Sequence, residues 1–140
     1  MKRVLADIET DGLLDELTRI HSLCIMDLDT KQEESYCDHA GYKNWSGTIR
    51  DGLRVLEYAY EVWGHNWMGF DDKAIRKVYP DYNPQGIIRD TLVISHLIWT
   101  NLFDNDLTFR RKHPDFPGQY LGRHSLAAWG ARLGQPKDDY

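Results

Sequence analysis

The amino-acid sequence predicts an α/β fold in which a mixed five-stranded sheet is flanked by helices. Three strand-like segments near the N-terminus are joined by turn residues. From Trp45 onward the spacing of apolar residues changes to that of helices, and two more short apolar runs lie between the helical segments. Strands followed by alternating helices and strands are typical of a sheet that packs against helices.

The first three segments predict a strand followed by an antiparallel hairpin. Residues 4–10 alternate apolar and acidic side chains, and residues 20–28 form a nearly continuous apolar run, typical of a strand buried on both faces. Residues 29–32 form a turn, and residues 34–38 a shorter and more polar strand.

The next segments predict two helices separated by a short strand over residues 61–66. The first helix has Ser46 or Thr48 as its N-cap and apolar residues at helical spacing, namely Ile49, Leu53, Leu56 and Tyr60. The second helix begins near Phe70 and is stopped by Pro80.

The last segments predict a short strand at residues 87–88 and two more helices. Asp90 is expected to cap a helix over residues 91–99, which is apolar on almost every side and is therefore expected to be buried. Residues 100–122 are predicted to form a long polar loop. A final helix over residues 125–133 ends at Gly134, with a predicted core stripe of Leu126, Trp129 and Leu133.

Composition limits the possible classes of protein. The 140 residues, with 41% hydrophobic and 28% charged, suffice for one domain with a core. There is no apolar run of membrane-spanning length and no signal-peptide core, and two cysteines do not form a disulfide framework. A reducing, cytoplasmic location without a membrane partner is therefore expected. The net charge of -5 argues against a nonspecific DNA coat protein, but not against an enzyme that meets DNA through bound cations.

Three carboxylates suggest a metal site. Asp7 and Glu9 alternate with apolar residues in the first strand, so both side chains are expected on one face. Divalent cations such as Mg²⁺ or Mn²⁺ relieve the repulsion between such carboxylates. Asp71 begins a helix just beyond a strand end, where ligands gather in α/β sheets. The alternatives are an edge strand whose polar face meets water, and a cap at the helix N-terminus formed by Asp71 or Asp72.

A zinc site in the hairpin is rejected from spacing. His21 and Cys24 are three residues apart, so their side chains point to opposite faces of a regular strand. Cys24 and Cys37 are instead expected to be buried structural residues.

An ordered set of motifs resembles one nuclease superfamily. Asp7-x-Glu9 followed by Asn66-x-x-x-Phe70-Asp71 is similar to the first two motifs of the DEDD, or DnaQ-like, 3′-5′ exonucleases, which share a ribonuclease H-like fold. More narrowly, the chain resembles the proofreading domains of family A DNA polymerases from T7-like bacteriophages. The segments that carry this likeness are Asp7-Ile8-Glu9, Gly64-His65-Asn66, Asp90-Thr91-Leu92-Val93 and His124-Ser125-Leu126-x-x-Trp129-Gly130-x-Arg132-Leu133-Gly134.

This resemblance implies removal of nucleotides from the 3′ ends of DNA in an infected or lysogenic bacterial host. Asp7, Glu9 and Asp71 would be the catalytic residues and would bind two divalent metal ions, Mg²⁺ or Mn²⁺. The expected partners are a single-stranded or frayed DNA 3′ end and a polymerase domain.

Six residues are expected to contact nucleic acid. Leu13 would border the 3′ nucleotide, Asn66 belongs to the second motif, and Phe70 would stack on a base. Arg110, Arg111 and Lys112 form a locally basic stretch that would contact phosphates, with a solvated loop as the alternative.

One motif of the superfamily is missing. Its fourth carboxylate lies in a Tyr-x-x-x-Asp or His-x-x-x-x-Asp sequence on a further helix, and this chain contains neither pattern. Asp138 and Asp139 follow the helix-ending Gly134 and Pro136, which makes them poor replacements. Residues 1–140 are therefore expected to form a single exonuclease domain truncated at its C-terminus, completed by a missing C-terminal segment. The alternatives are a catalytically impaired remnant that binds DNA or a polymerase partner, and a ribonuclease of the same superfamily.

Overall fold

The computed structural model describes residues 2–39 and 44–135, which contain five strands and five α-helices. The strands are β1 Arg3–Thr10, β2 Ile20–Asp27, β3 Glu33–Tyr36, β4 Glu61–Gly64 and β5 Ile87–Asp90. The helices are α1 Ile49–Tyr58, α2 Asp71–Val78, α3 Thr91–Ile98, α4 Leu102–Lys112 and α5 Leu126–Leu133, with a short 3₁₀ helix at Gly118–Tyr120. The chain divides into two compact units, Met1–Thr91 and Leu92–Tyr140.

All five strands form one mixed sheet in the first unit, in the order β3-β2-β1-β4-β5. The pairs β1–β2 and β2–β3 are antiparallel, whereas β1–β4 and β4–β5 are parallel. The predicted fold class is therefore confirmed: this is an open, mixed α/β sheet, consistent with a ribonuclease H-like fold.

Alternation in β1 decides which face of the sheet is buried. Val4, Ala6 and Ile8 are buried, and the residues between them are exposed. The buried residues join a core with apolar side chains of β2, α1 and α2, including Leu23, Ile25, Leu53, Leu56, Ala74 and Ile75. The prediction that β2 is buried on both faces is wrong, because Cys24 is exposed.

Helix α1 begins where the sequence predicts. Thr48 is its N-cap and forms a capping box with Asp51, which satisfies backbone N–H groups that would otherwise lack partners. Gly52 lets this helix lie close to the sheet, since a Cβ there would come within 2.7 Å of the side chains of Leu23 and Tyr36. Tyr60, predicted as part of the helix, follows its end and is 45% exposed.

The predicted loop over residues 100–122 is wrong, because α4 occupies half of it. Leu102 and Asp106 are the buried residues of this helix. The Asp106 carboxylate accepts two hydrogen bonds from Arg132, at 2.8 and 2.6 Å, and one from the Gly122 N–H at 2.7 Å. Burial alone raises the pKa of Asp106, but these hydrogen bonds lower it below its ordinary value. Because an aspartate, Asp106, occupies one of the two buried positions, the buried side of this helix does not form a regular repeat of apolar residues. The helix therefore could not be predicted from the spacing of apolar residues.

Two predictions about burial in the second unit are also wrong. Helix α3 is apolar but mostly exposed: Leu97 is 74% and Ile98 61% exposed, and Ser95 is its buried residue. In α5, Leu126 and Leu133 are exposed and Ala128 is buried instead. Within the described part of the chain, no helix has the length and apolarity to cross a membrane.

We expect Gly86→Ala to lower the free energy of unfolding by about 1–3 kcal/mol, the usual cost of overpacking. A Cβ at Gly86 would lie 2.1 Å from the carbonyl oxygen of Ala59 and 2.6 Å from that of Tyr60, so backbone must move. The latter carbonyl also accepts the Ile87 N–H that starts β5.

Urea denaturation of both variants tests this cost. Gly12→Ala is the matched control, because the nearest atom to its Cβ would be 3.5 Å away. Equal unfolding midpoints for the two variants would contradict the expectation.

Candidate active site

The central strand of the sheet presents Asp7 and Glu9 together. Both are exposed and both point away from the face that buries Val4, Ala6 and Ile8. The predicted common face of the two carboxylates is therefore confirmed. Because β1 lies between β2 and β4, the alternative of an edge strand is wrong, although this face of the strand is open to water.

The loop between β4 and α2 delivers the third carboxylate. It runs through residues 65–70 and closes tightly on itself: the N–H groups of Gly69 and Phe70 donate to the Asn66 carbonyl at 3.0 and 2.9 Å. Asn66 has φ 62°, a left-handed conformation that is unusual for a residue other than glycine. Helix α2 then begins at Asp71, as predicted.

Asp71 is buried against β1, close to Asp7. Its side chain is 4% exposed, and burial raises its pKa to about 7 with help from the negative charge of Asp7. The backbone N–H groups of Asp71 itself and of Ile8 hydrogen-bond to the carboxylate and oppose part of this rise. Since Ile8 follows Asp7 in β1, the structure brings Asp7 and Asp71 together.

Glu9 does not form a three-ligand metal-binding group with Asp7 and Asp71 among the described residues. It lies two residues from Asp7 on the same strand face, a spacing of about 7 Å. Among residues 2–39 and 44–135, no group of three acidic, histidine or cysteine side chains is arranged to hold a metal ion. The donor chemistry nevertheless fits a divalent cation at Asp7 and Asp71, because a cation would neutralise two carboxylates of which one is buried.

Two residues near this pair were not proposed as site residues from sequence. The Asp90 carboxylate, expected to cap α3, accepts hydrogen bonds from the N–H groups of Asn66 at 3.0 Å and Met68 at 2.9 Å. Nδ1 of His65 lies 3.0 Å from the Thr91 hydroxyl, which donates to the Gly64 carbonyl. With its proton directed at Gly64, that hydroxyl can accept a hydrogen bond from Nδ1 of His65. Burial lowers the pKa of the His65 imidazole. Both residues lie in segments that the family resemblance singled out.

The residues expected to contact nucleic acid differ in exposure. Leu13 is 76% exposed in the loop after β1, and Asn66 is exposed in the β4–α2 loop. Phe70 is partly buried and packs against the core. Trp67, the other aromatic residue of this loop, is completely buried and belongs to the core.

The basic stretch lies in the second unit. Arg110, Arg111 and Lys112 are exposed on the last turn of α4, where positive charge also favours the helix C-terminus. The alternative of a solvated loop is wrong about the loop, because these residues belong to a helix, although their side chains are exposed.

The hairpin cysteines are not core residues. Cys24 is exposed and its sulfur lies 3.6 Å from the Ser35 hydroxyl, and Cys37 is partly exposed. Their predicted burial is wrong. Cys37 instead lines a cavity of about 220 Å³ together with His21 and His39. Cys24 lines a different cavity of about 240 Å³, so His21 and Cys24 do not share one.

Comparison with known proteins relates the chain to phage DNA polymerases. It is 33% identical over 147 aligned residues to the DNA-directed DNA polymerase of Escherichia phage T7, covering 98% of this chain and 20% of that protein. The values are the same for the DNA-directed DNA polymerase of Enterobacteria phage T3. Nearly the whole chain is thus homologous to one part of these polymerases, and it spans about one fifth of their length. No protein-family model matches the sequence.

We expect Asp71 to make metal-free protein less stable as the pH rises. Its pKa of about 7 in the folded state exceeds the ordinary 3.8, so its contribution to stability is fully present below pH 3.8 and is lost as the pH rises through 7. Between pH 5 and pH 8, wild type should lose about 3 kcal/mol of unfolding free energy relative to Asp71→Asn, since about two pH units separate pH 5 from the folded pKa and each corresponds to about 1.4 kcal/mol.

Urea unfolding at several pH values, with a chelator present, measures this difference. Asp72→Asn is the matched control, because it removes a neighbouring carboxylate that pairs with Arg76 at 2.8 Å. The expectation is refuted if Asp71→Asn follows the same pH dependence as wild type.

Proposed function

From homology to one fifth of two phage DNA polymerases, we propose that this chain is a metal-dependent 3′-5′ exonuclease module that removes nucleotides from DNA 3′ ends. The observation that supports it most is the buried Asp71 carboxyl held against Asp7, on a sheet whose open face also carries Glu9. This is a costly arrangement for structure alone, and it suits a site that binds cations.

The three carboxylates would share the work of holding Mg²⁺ or Mn²⁺. When bound, two such ions would activate water and stabilise the leaving 3′ oxygen in phosphodiester hydrolysis. With a pKa of about 7, the Asp71 carboxyl would be partly protonated near neutral pH, and a bound cation would favour its ionised form. Asp7 and Glu9 are already exposed to solvent.

The exposed loops near the carboxylates would hold the DNA end. Leu13 follows β1 and presents an apolar side chain that is 76% exposed, which suits contact with a base or sugar. Asn66 is exposed in the loop that leads to Asp71. The half-buried Phe70 leaves part of its ring available for stacking.

Full activity would require a fourth carboxylate. The resemblance places it in a Tyr-x-x-x-Asp motif, which this sequence lacks, and Asp138 and Asp139 lie outside the described residues. We therefore expect weak cutting by this chain alone and stronger cutting when a polymerase segment carrying that motif is added.

A noncatalytic DNA-binding module is the second candidate. It is favoured by the observation that the described residues contain no three-ligand group arranged for a metal ion. Such a module would bind DNA or a polymerase partner through exposed residues such as Arg110 and Arg111 and would not shorten DNA.

We expect stepwise shortening of labelled single-stranded DNA from its 3′ end in Mn²⁺, and a rate about 100-fold lower for Asp7→Ala, since Asp7 contributes to both the carboxylate pair and the open strand face. Gel analysis of the products, with and without the added polymerase segment, measures this. A labelled RNA under the same conditions tests the ribonuclease alternative.

Asp104→Ala is the control for this assay, because it removes one exposed carboxylate from α4 in the second unit. DNA binding without any shortening, even with the added segment, would refute the exonuclease and support the noncatalytic module.

A further inference from the structure

The carboxylate of Asp90 is buried without being part of the proposed cation site. Asp90 ends β5, is 4% exposed and accepts hydrogen bonds from two backbone N–H groups, those of Asn66 and Met68. A buried carboxylate is costly unless it is hydrogen-bonded, and these donors compensate for the lost water. Both donors belong to the single loop that precedes Asp71.

That loop has a conformation that needs support. Asn66 lies in the left-handed region at φ 62°, which few residues other than glycine adopt, although asparagine does so more readily than most. Its side chain also fills the space beside Gly69, where a Cβ would come within 2.2 Å of the Asn66 Oδ1 atom. The Asp90 carboxylate accepts a hydrogen bond from the N–H of Asn66 itself and so helps to hold this left-handed residue in place.

The same loop continues directly into α2. The Phe70 N–H donates to the Asn66 carbonyl, and the Asp72 N–H donates to the carbonyl of the fully buried Trp67, both at 2.9 Å. Asp71 lies between these two bonded residues, so a shift of the loop must move Asp71. The pairing of Gly64 with Asp90 in the parallel β4–β5 ladder places the carboxylate beside the start of the loop.

We propose that Asp90 is a positioning residue for the candidate active site: its carboxylate clamps the β4–α2 loop through Asn66 and Met68 and thereby holds the Asp71 carboxyl against β1 beside Asp7. Its importance for metal binding rests on the function proposed above, whereas the clamp itself does not. Asp90 acts through the loop and does not need to touch metal or DNA.

The test uses the Asp90→Asn variant, which keeps the shape but replaces one acceptor oxygen by an amide group facing an N–H donor. The amide resonance of Ile8 is the decisive probe, because its N–H bonds to the Asp71 carboxylate. In ¹⁵N-resolved NMR spectra of metal-free protein, we expect the Asn66, Met68 and Ile8 amide resonances to shift together. We also expect Mn²⁺ affinity, measured by titration calorimetry, to fall at least tenfold.

Asp106→Asn is the matched control, since it alters an equally buried carboxylate in the second unit. It should leave the Ile8 resonance and Mn²⁺ affinity unchanged. Gly69→Ala disturbs the loop without touching Asp90 and should shift Ile8 as well, so it replaces Asp90→Asn if that variant does not fold.

The outcomes separate this role from the proposed function. Shifts of Asn66 and Met68 with an unchanged Ile8 resonance would overturn the positioning role. A shifted Ile8 resonance with no Mn²⁺ binding by wild type would support the positioning role and refute the metal-dependent function.

Discussion

The buried carboxyl of Asp71, held against the central strand beside Asp7, is the constraint on which the first unit depends. Its burial raises its pKa to about 7, so the fold tolerates a group that would be more stable in water. Parallel pairing of β1 with β4 brings the β4–α2 loop to the end of β1, and that loop carries the carboxyl into place. A site that binds cations would benefit from this arrangement, because cation binding offsets the cost of burial.

Each unit uses a buried aspartate to organise a neighbouring segment. Asp90 accepts from the N–H groups of Asn66 and Met68, and Asp106 accepts from Arg132 and from the Gly122 N–H. In both cases the carboxylate accepts hydrogen bonds from backbone N–H groups of a loop, which have no partner in a helix or strand. Removing such a carboxylate takes away the acceptor of two or more hydrogen bonds, so the local geometry depends on one side chain.

Homology and geometry support the proposed function in different ways. The polymerases of phages T7 and T3 match almost the whole chain, which relates it to enzymes that act in DNA synthesis. The geometry contributes the proximity of Asp7 and Asp71, and it also shows that Glu9 does not join them in a three-ligand group among the described residues. The pair of Asp7 and Asp71 therefore links the homology to a chemical property, cation binding, that can be measured.

The sequence by itself determined the mixed five-stranded sheet, the common face of Asp7 and Glu9, and the start of α2 at Asp71. These features depend on alternation, helical spacing and caps, which involve residues close together in the chain. Only the tertiary structure decided that α4 forms, that α3 is exposed, and that Asp90 bonds to the β4–α2 loop. The partners in those cases are 16–26 residues apart, as for Asp106 with Gly122 and Arg132, and local periodicity carries no record of such contacts.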